Sequence, residues 1–415
     1  MDLFEEFKNI ILPYTDIPLV FIEAGAYSIS SCCLGRYYII PKSRNKRPNT
    51  YIIFASAPGV GRRGDLLHYI KKVMHSAFMK LGDKTNDFEL YKDEIKAHLL
   101  EGGSPQGLAD EIIRLRIKGL NSFCLSSTEF GRILSAIKGQ VGYMGGFDNL
   151  LVKLWSGEPM YESFSSRGDN KPRYLESGTY FNICSTTQKI KYYLDNKMAQ
   201  TGFTRRLLIA GINASDIKDY KPPLGFDTES MEKQLEELGY KIGDRMHMLQ
   251  NKQQTIKKES RLIDLPIEQE AINEINRYAE PWAEKVKEDD ENPYYLYQQT
   301  RWEYVLKISA NRTLMEFRPE VTINDVKRAI PFVDNATKDI RQILEKTSIP
   351  PKMIDKENHM DKICNYFKKG LTIKQVQQYM CGYGVHKDLY KYYLKTLSGD
   401  GRIRNGEGGK VDVLW

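Results

Sequence analysis

Between Tyr51 and Leu67 the chain reads Tyr-Ile-Ile-Phe-Ala-Ser-Ala-Pro-Gly-Val-Gly-Arg-Arg-Gly-Asp-Leu-Leu. A β-branched apolar run comes first, a glycine- and proline-rich turn follows, and a helical pattern continues to Met74. Those residue types in that order suit the capture of a phosphate. Backbone N–H groups of a tight turn and of a helix N-terminus converge on an anion, and glycine lets the main chain approach it closely. The candidate cradle comprises Pro58, Gly59, Val60, Gly61, Arg62, Arg63, Gly64 and Asp65. Against the phosphate-loop pattern G-x-x-x-x-G-K-[ST] two registers are open. With Gly61 as the second glycine, Ser56 takes the first glycine's place, Arg62 the lysine's and Arg63 the hydroxyl's. With Arg63 in the lysine's place, Gly64 falls where the hydroxyl belongs and Asp65 follows. Neither register supplies an amine or a hydroxyl. A guanidinium binds phosphate through its planar fork but does not reproduce a compact ammonium. Nucleotide binding is therefore expected, with hydrolysis an open question; the plain alternative is a strand–turn–helix with a basic turn.

Further residues suit phosphoryl chemistry. Asn121 to Gly131 reads as a short apolar strand that ends in Glu129, where a carboxylate can orient the attacking water. Thr128 stands where a Mg²⁺-associated aspartate is usual, and a glutamate after a strand is equally served by the helix dipole. A second strand, Thr179 to Cys184, is followed by Ser185-Thr186-Thr187, which makes Asn182, Ser185 and Thr186 candidate sensors of a terminal phosphate. Arg205 and Arg206 precede the apolar run Leu207 to Ala210. Such a pair either reaches a neighbouring subunit's nucleotide or forms ordinary surface ion pairs.

These residues need a framework. At 415 residues, 41% hydrophobic and 28% charged, the chain has the composition of a globular protein of two or three domains. No run of about 18 apolar residues and no signal-like N-terminus is present, so no membrane association and a cytoplasmic location are expected. The six cysteines show no metal spacing, and neither zinc nor a disulfide is expected. Residues 1–49 form an N-terminal helical segment that ends in the basic run Lys42 to Pro48, either a nucleic-acid contact or a solvated loop. Residues 50–225 carry the strands. The Gly-rich turn Glu101 to Gly107 is either a mobile loop or a plain helix connection, and 139–177 reads as irregular. Residues 226–349 turn into charged amphipathic helices, with Trp302, Val305, Leu306, Ser309 and Ala310 on one face and Thr322 with Asp325 as a capping box.

After Pro350-Pro351, residues 356–415 read as three helices and two strands around an Asn-Gly/Gly-Gly turn, the pattern of a winged helix-turn-helix. From Met360 onward ten Lys/Arg face five Asp/Glu, so most of the chain's net +7 lies here. Lys387, Lys391, Lys395, Arg402 and Arg404 are the candidate DNA-backbone contacts. A docking role toward protein is the other use of such a module.

Taken together, the turn at 58–65, the strand ending at Glu129, the polar strand end, the arginine pair, the helices with Arg301 and the terminal module resemble an AAA+ P-loop ATPase. The stretches Arg301 to Ala310 and Val321 to Ile330 are similar to the lid of minichromosome maintenance helicases. The N-terminal half is similar to helicase-like ATPases of archaeal and bacterial plasmids and viruses. The resemblance implies an α/β fold: a P-loop AAA+ ATPase core, a helical lid and a C-terminal winged helix-turn-helix. It also implies ATP and Mg²⁺ as cofactors, DNA as partner and a homo-oligomeric ring. Gly59, Gly61, Arg62 and Arg63 would hold phosphates, Glu129 activate water, Arg205 or Arg206 act as finger, and Arg301 as lid sensor. The expected activity is that of an ATP-dependent DNA helicase or remodeller, with a catalytically silent nucleotide- and DNA-binding scaffold as the alternative.

Overall fold

The computed structural model describes residues 2–43, 46–101, 104–139, 146–162, 173–175, 177–188, 202–212, 217, 228–256, 262–290, 292–338, 340–342, 344, 353–382, 387–405 and 411–414. Within 139–177, residues 140–145, 163–172 and 176 lie outside them, as do Gly102-Gly103, Gln200-Thr201, Pro350-Pro351 and residues Gly406 to Lys410. The chain folds as two compact units, 1–346 and 347–415.

The first unit is built on strands β1 (Tyr38–Ile39), β2 (Tyr51–Ala55), β3 (Ser122–Leu125), β4 (Met160–Glu162), β5 (Arg173–Leu175), β6 (Tyr180–Thr187), β7 (Leu208–Gly211) and β8 (Ile263–Asp264). Four of them form a parallel sheet in the order β3-β6-β2-β7. Every residue of β2, β3 and β6 is buried, the expected state of strands covered on both faces. Helices α1 (Leu3–Ile11), α2 (Leu19–Cys33), α3 (Arg63–Thr85), α4 (Phe88–His98), α5 (Pro105–Ile117), α6 (Phe130–Gly139) and α7 (Phe147–Ser156) belong to the same unit. From β2 the chain moves to the far edge for β3, returns beside β2 as β6, and crosses to its other side for β7. Open parallel sheets generally take their ligands beside such a reversal, at the carboxyl ends of the strands.

Helices α8 (Thr228–Gln254), α9 (Gln269–Glu288), α10 (Pro293–Gln299), α11 (Arg301–Met315) and α12 (Ile323–Ala336) complete the unit. They are not a separate lid, which corrects the division at 49/50 and 225/226. Buried residues from α1, α2, the sheet, α8 and α11 belong to one continuous core. α8 lies tight along α3: a Cβ at Gly239 would stand 2.6 Å from the Val73 carbonyl, and one at Gly243 2.5 Å from that of Ala77. α11 was expected to bury one face and instead is buried on nearly all sides, packed against α2 and α12. The capping box forms as expected, with the Thr322 amide donating to Asp325 at 2.9 Å.

The second unit holds helices α13 (Met353–Lys368), α14 (Ile373–Gly382) and α15 (Lys387–Gly399), then β9 (Ile403–Asn405) antiparallel to β10 (Val411–Val413). Ile363, Phe367, Val376, Met380, Tyr390, Tyr393 and Leu397 fill its core, the helical 3.6-residue period read from sequence. Among the described residues no helix is long and apolar enough to cross a membrane.

Candidate functional site

The turn after β2 is closed by its own side chains. Ser56 Oγ donates to the Val60 carbonyl at 2.7 Å, and the Ser56 amide to Thr187 of β6 at 3.4 Å. Gly59, Gly61 and Arg62 all have positive φ, at 73°, 72° and 45°. A succession of left-handed residues ahead of a helix aims consecutive amides into one concavity. Gly61 is required twice over, because its φ is left-handed and a Cβ there would stand 2.1 Å from Ile212 Cδ1. At Gly59 and Gly64 a Cβ would meet nothing within 4 Å, so that side of the turn is open to a ligand. The first main-chain bond of α3 runs from the Leu66 amide to the Arg62 carbonyl at 3.0 Å. The amides of Gly64 and Asp65 precede it and belong to the turn of a helix that has no intrahelical acceptor.

The two arginines part company. Arg62 turns toward the segment before α2, with Nε 2.7 Å from Asp16 Oδ1. Arg63 folds back across the turn and donates through Nη1 to Ser56 O at 3.0 Å, Ser56 Oγ at 2.8 Å and Ala57 O at 3.0 Å. It is thus Arg63 whose guanidinium lies on the loop.

At the same edge, β6 holds the segment that leads to Glu129. Ser185 Oγ donates to Leu125 O at 3.1 Å and accepts from the Ser127 amide at 3.0 Å. The Thr186 hydroxyl donates to Thr128 O at 2.7 Å, and Lys71 of α3 reaches Ser126 O at 3.5 Å. Both hydroxyls therefore position the strand end, a role that sequence could not distinguish from phosphate sensing. Glu129 is exposed at the start of α6 and pairs with Arg132 at 2.5 Å.

Four candidates lie elsewhere. Asn182 sits in the first half of β6, where its Oδ1 accepts from the Thr50 amide at 2.9 Å and from Ser31 Oγ at 2.5 Å. It pins the start of β2 and is no phosphate sensor, a correction that follows from the register Cys124↔Asn182. Arg301, expected as the lid sensor, is 2% exposed and enclosed by Gln298, Asp334 and the Tyr278 ring, and burial lowers its pKa, which corrects it to a residue held within the fold. Arg205 and Arg206 precede β7, which pairs Leu208 with Ile52, so they stand at the amino edge of the sheet. At about 3.3 Å per residue that is roughly 20 Å from the turn, so they do not serve their own chain's turn. Arg206 donates to Gly202 O at 2.5 Å, and Tyr304 donates to the Arg205 carbonyl. Burial, then the neighbouring Arg206, lowers the pKa of Arg205.

In the second unit Lys391, Lys395 and Arg404 are exposed, and the Lys387 side chain lies outside the described residues. Arg402 is 15% exposed and pairs with Asp361 at 2.8 Å, tying the ribbon to α13. That placement corrects it from a DNA contact to a link within the unit. Among the described residues no group of His, Cys, Asp and Glu is arranged to hold a metal.

Sequence reasoning missed Asp16, the partner of Arg62, and Arg47, which is no solvated loop residue. Arg47 stacks 4.4 Å from the Tyr180 ring and donates to the carbonyls of Arg36 at 2.7 Å and Gly178 at 3.0 Å. Only the polarity of Asp16 and Arg47 could have flagged them; their partners are distant in sequence. No protein-family model matches the chain, and no curated protein matches it.

Proposed function

We propose that residues 56–65 bind the phosphates of ATP and that the chain is a nucleotide-driven DNA helicase or remodeller of the AAA+ class, acting as a ring in replication of a mobile element or virus. The observation that carries this reading is the meeting, at the carboxyl edge of one parallel sheet, of the left-handed glycine turn, the Arg63 guanidinium and the strand end that presents Glu129. The open side of the turn at Gly59 and Gly64 fits a phosphate tail. It does not supply the oxygen that normally anchors Mg²⁺, since Arg63 or Gly64 takes that place, and no step is assigned to the metal. Arg205 and Arg206 stand too far from their own turn to contact its phosphates, so any phosphate they serve belongs to a second copy. The three helices and ribbon of the second unit read as a winged helix, with Lys391, Lys395 and Arg404 toward the DNA backbone.

A second reading is a nucleotide-binding DNA scaffold without turnover. Its support is the Glu129–Arg132 pair together with a turn that lacks both amine and hydroxyl. Phosphate release from Mg²⁺-ATP, with and without DNA, separates the two. The motor reading expects turnover that falls at least about 100-fold in Glu129→Gln. ATP binding with equal inactivity of both proteins overturns it in favour of the scaffold.

A further inference from the structure

The amino edge of the sheet encloses a cavity of about 850 Å³ that the nucleotide reading leaves unused. Ser122 and Tyr180, the first residues of β3 and β6, and Asn49 ahead of β2 line it, which places it opposite the 56–65 turn. Four basic side chains border it: Arg36, Lys46, Arg47 and Lys307. Glu94 meets Arg36 with both oxygens, at 2.7 and 2.6 Å, and matches its charge. Glu303 is shared between Lys46 at 3.0 Å and Lys307 at 3.7 Å. Arg47 donates only to carbonyls and meets no carboxylate among the described residues. Glu158 also lines the cavity but is exposed.

Positive charge is thus held in excess around a partly enclosed space, and that arrangement is costly without an anion. Lys307 shows the strain. It is 1% exposed, lies 3.8 Å from the Trp155 ring centroid and donates to Asn49, and burial pushes its pKa down to about 7. Arg47 offers a planar fork, while Lys46 and Lys307 offer compact ammonium groups, a set that suits a dianionic tetrahedral group. The volume lies within the range of small-molecule sites.

We infer that this cavity binds a phosphate group, free or carried on a small organic molecule, independently of the 56–65 turn. Calorimetric titration of the full chain with inorganic phosphate, glucose 6-phosphate and citrate tests it. The expected result is a site for at least one of the two phosphates that persists in Arg63→Ala, stronger than for citrate, and weakened roughly tenfold or more in Arg47→Ala. Arg63→Ala should leave that affinity unchanged. Equal affinity for both phosphates identifies the free anion as the ligand, and tighter binding of the sugar phosphate identifies the carried group. If Arg47→Ala does not fold, Lys46→Ala at the rim serves, with the same expected weakening. Absence of phosphate binding below about 1 mM, preference for citrate, or loss through Arg63→Ala instead of the rim variants overturns the proposal. Failure of ATP to bind the turn would not affect it.

Discussion

The two proposed anion sites, at opposite edges of the central sheet, are built from different materials. At the carboxyl edge, consecutive residues do the work: a turn of ten, 56–65, supplies main-chain amides, glycines and one overlying guanidinium. At the amino edge the cations are side chains: Arg36, Lys46 and Arg47 come from one segment, and Lys307 joins them from α11, which packs against α2. Backbone recognition is written locally and relies on conformation, whereas side-chain recognition relies on burial and long-range contact. The first edge should therefore be sensitive to a single Cβ, and the second to charge and pH.

The largest expected effect is Gly61→Ala. A left-handed φ of 72° and a Cβ 2.1 Å from Ile212 add steric overlap to strain, and about 2–4 kcal/mol of stability should be lost. Chemical denaturation measures this. If the variant matches wild type, the turn does not have the described conformation.

Next comes acid. His98 is buried beneath the amino edge, donating from Nδ1 to Glu94 O and, when neutral, accepting at Nε2 from Ser122 Oγ, with the Glu94 carboxylate and Arg36 beside it. Burial lowers its pKa to about 4. The unfolded chain protonates first, near pH 6.5, so the stability from keeping this imidazole neutral is complete above that pH and falls as pH drops toward 4. The shift corresponds to on the order of 3 kcal/mol. Denaturation midpoints measured across pH 7 to 4 should fall less steeply in a folded His98→Gln variant. An unchanged slope would remove His98 from the account.

A smaller effect is expected at Asp16→Asn. Removing the carboxylate beside Arg62 should cost stability by about 1 kcal/mol or more, since the pair is mostly buried. Phosphate binding at the amino edge should be untouched. A change there would mean that the two edges are coupled. Gly64→Ala should be nearly neutral in stability, because a Cβ there meets nothing within 4 Å. It should weaken ATP binding if the phosphate tail occupies that open side, and unchanged affinity would move the ligand elsewhere.

The same contrast explains what was legible in the sequence. The strand Tyr51–Ala55, the turn and α3 follow one another within 35 residues and were readable from residue type alone. The Thr322–Asp325 box and the three-helix-and-ribbon order after residue 353 were equally local. Arg301 was not readable, because its Gln298–Asp334 enclosure depends on helices that meet in three dimensions. Asn182 was assigned to the wrong end of β6, since polarity on a strand does not say where along the strand the sheet register places it. Nothing local marks Gly239 and Gly243, whose lack of a Cβ matters only because α3 lies against them.

The central claim is that the 56–65 turn takes a nucleotide's phosphates through Arg63. Calorimetric titration of ATP into the full chain, compared with Arg63→Ala, tests it most directly. Saturable binding by the native chain, weakened roughly tenfold or more by the substitution, is the predicted result. Absence of binding, or equal affinity in the two proteins, would contradict it.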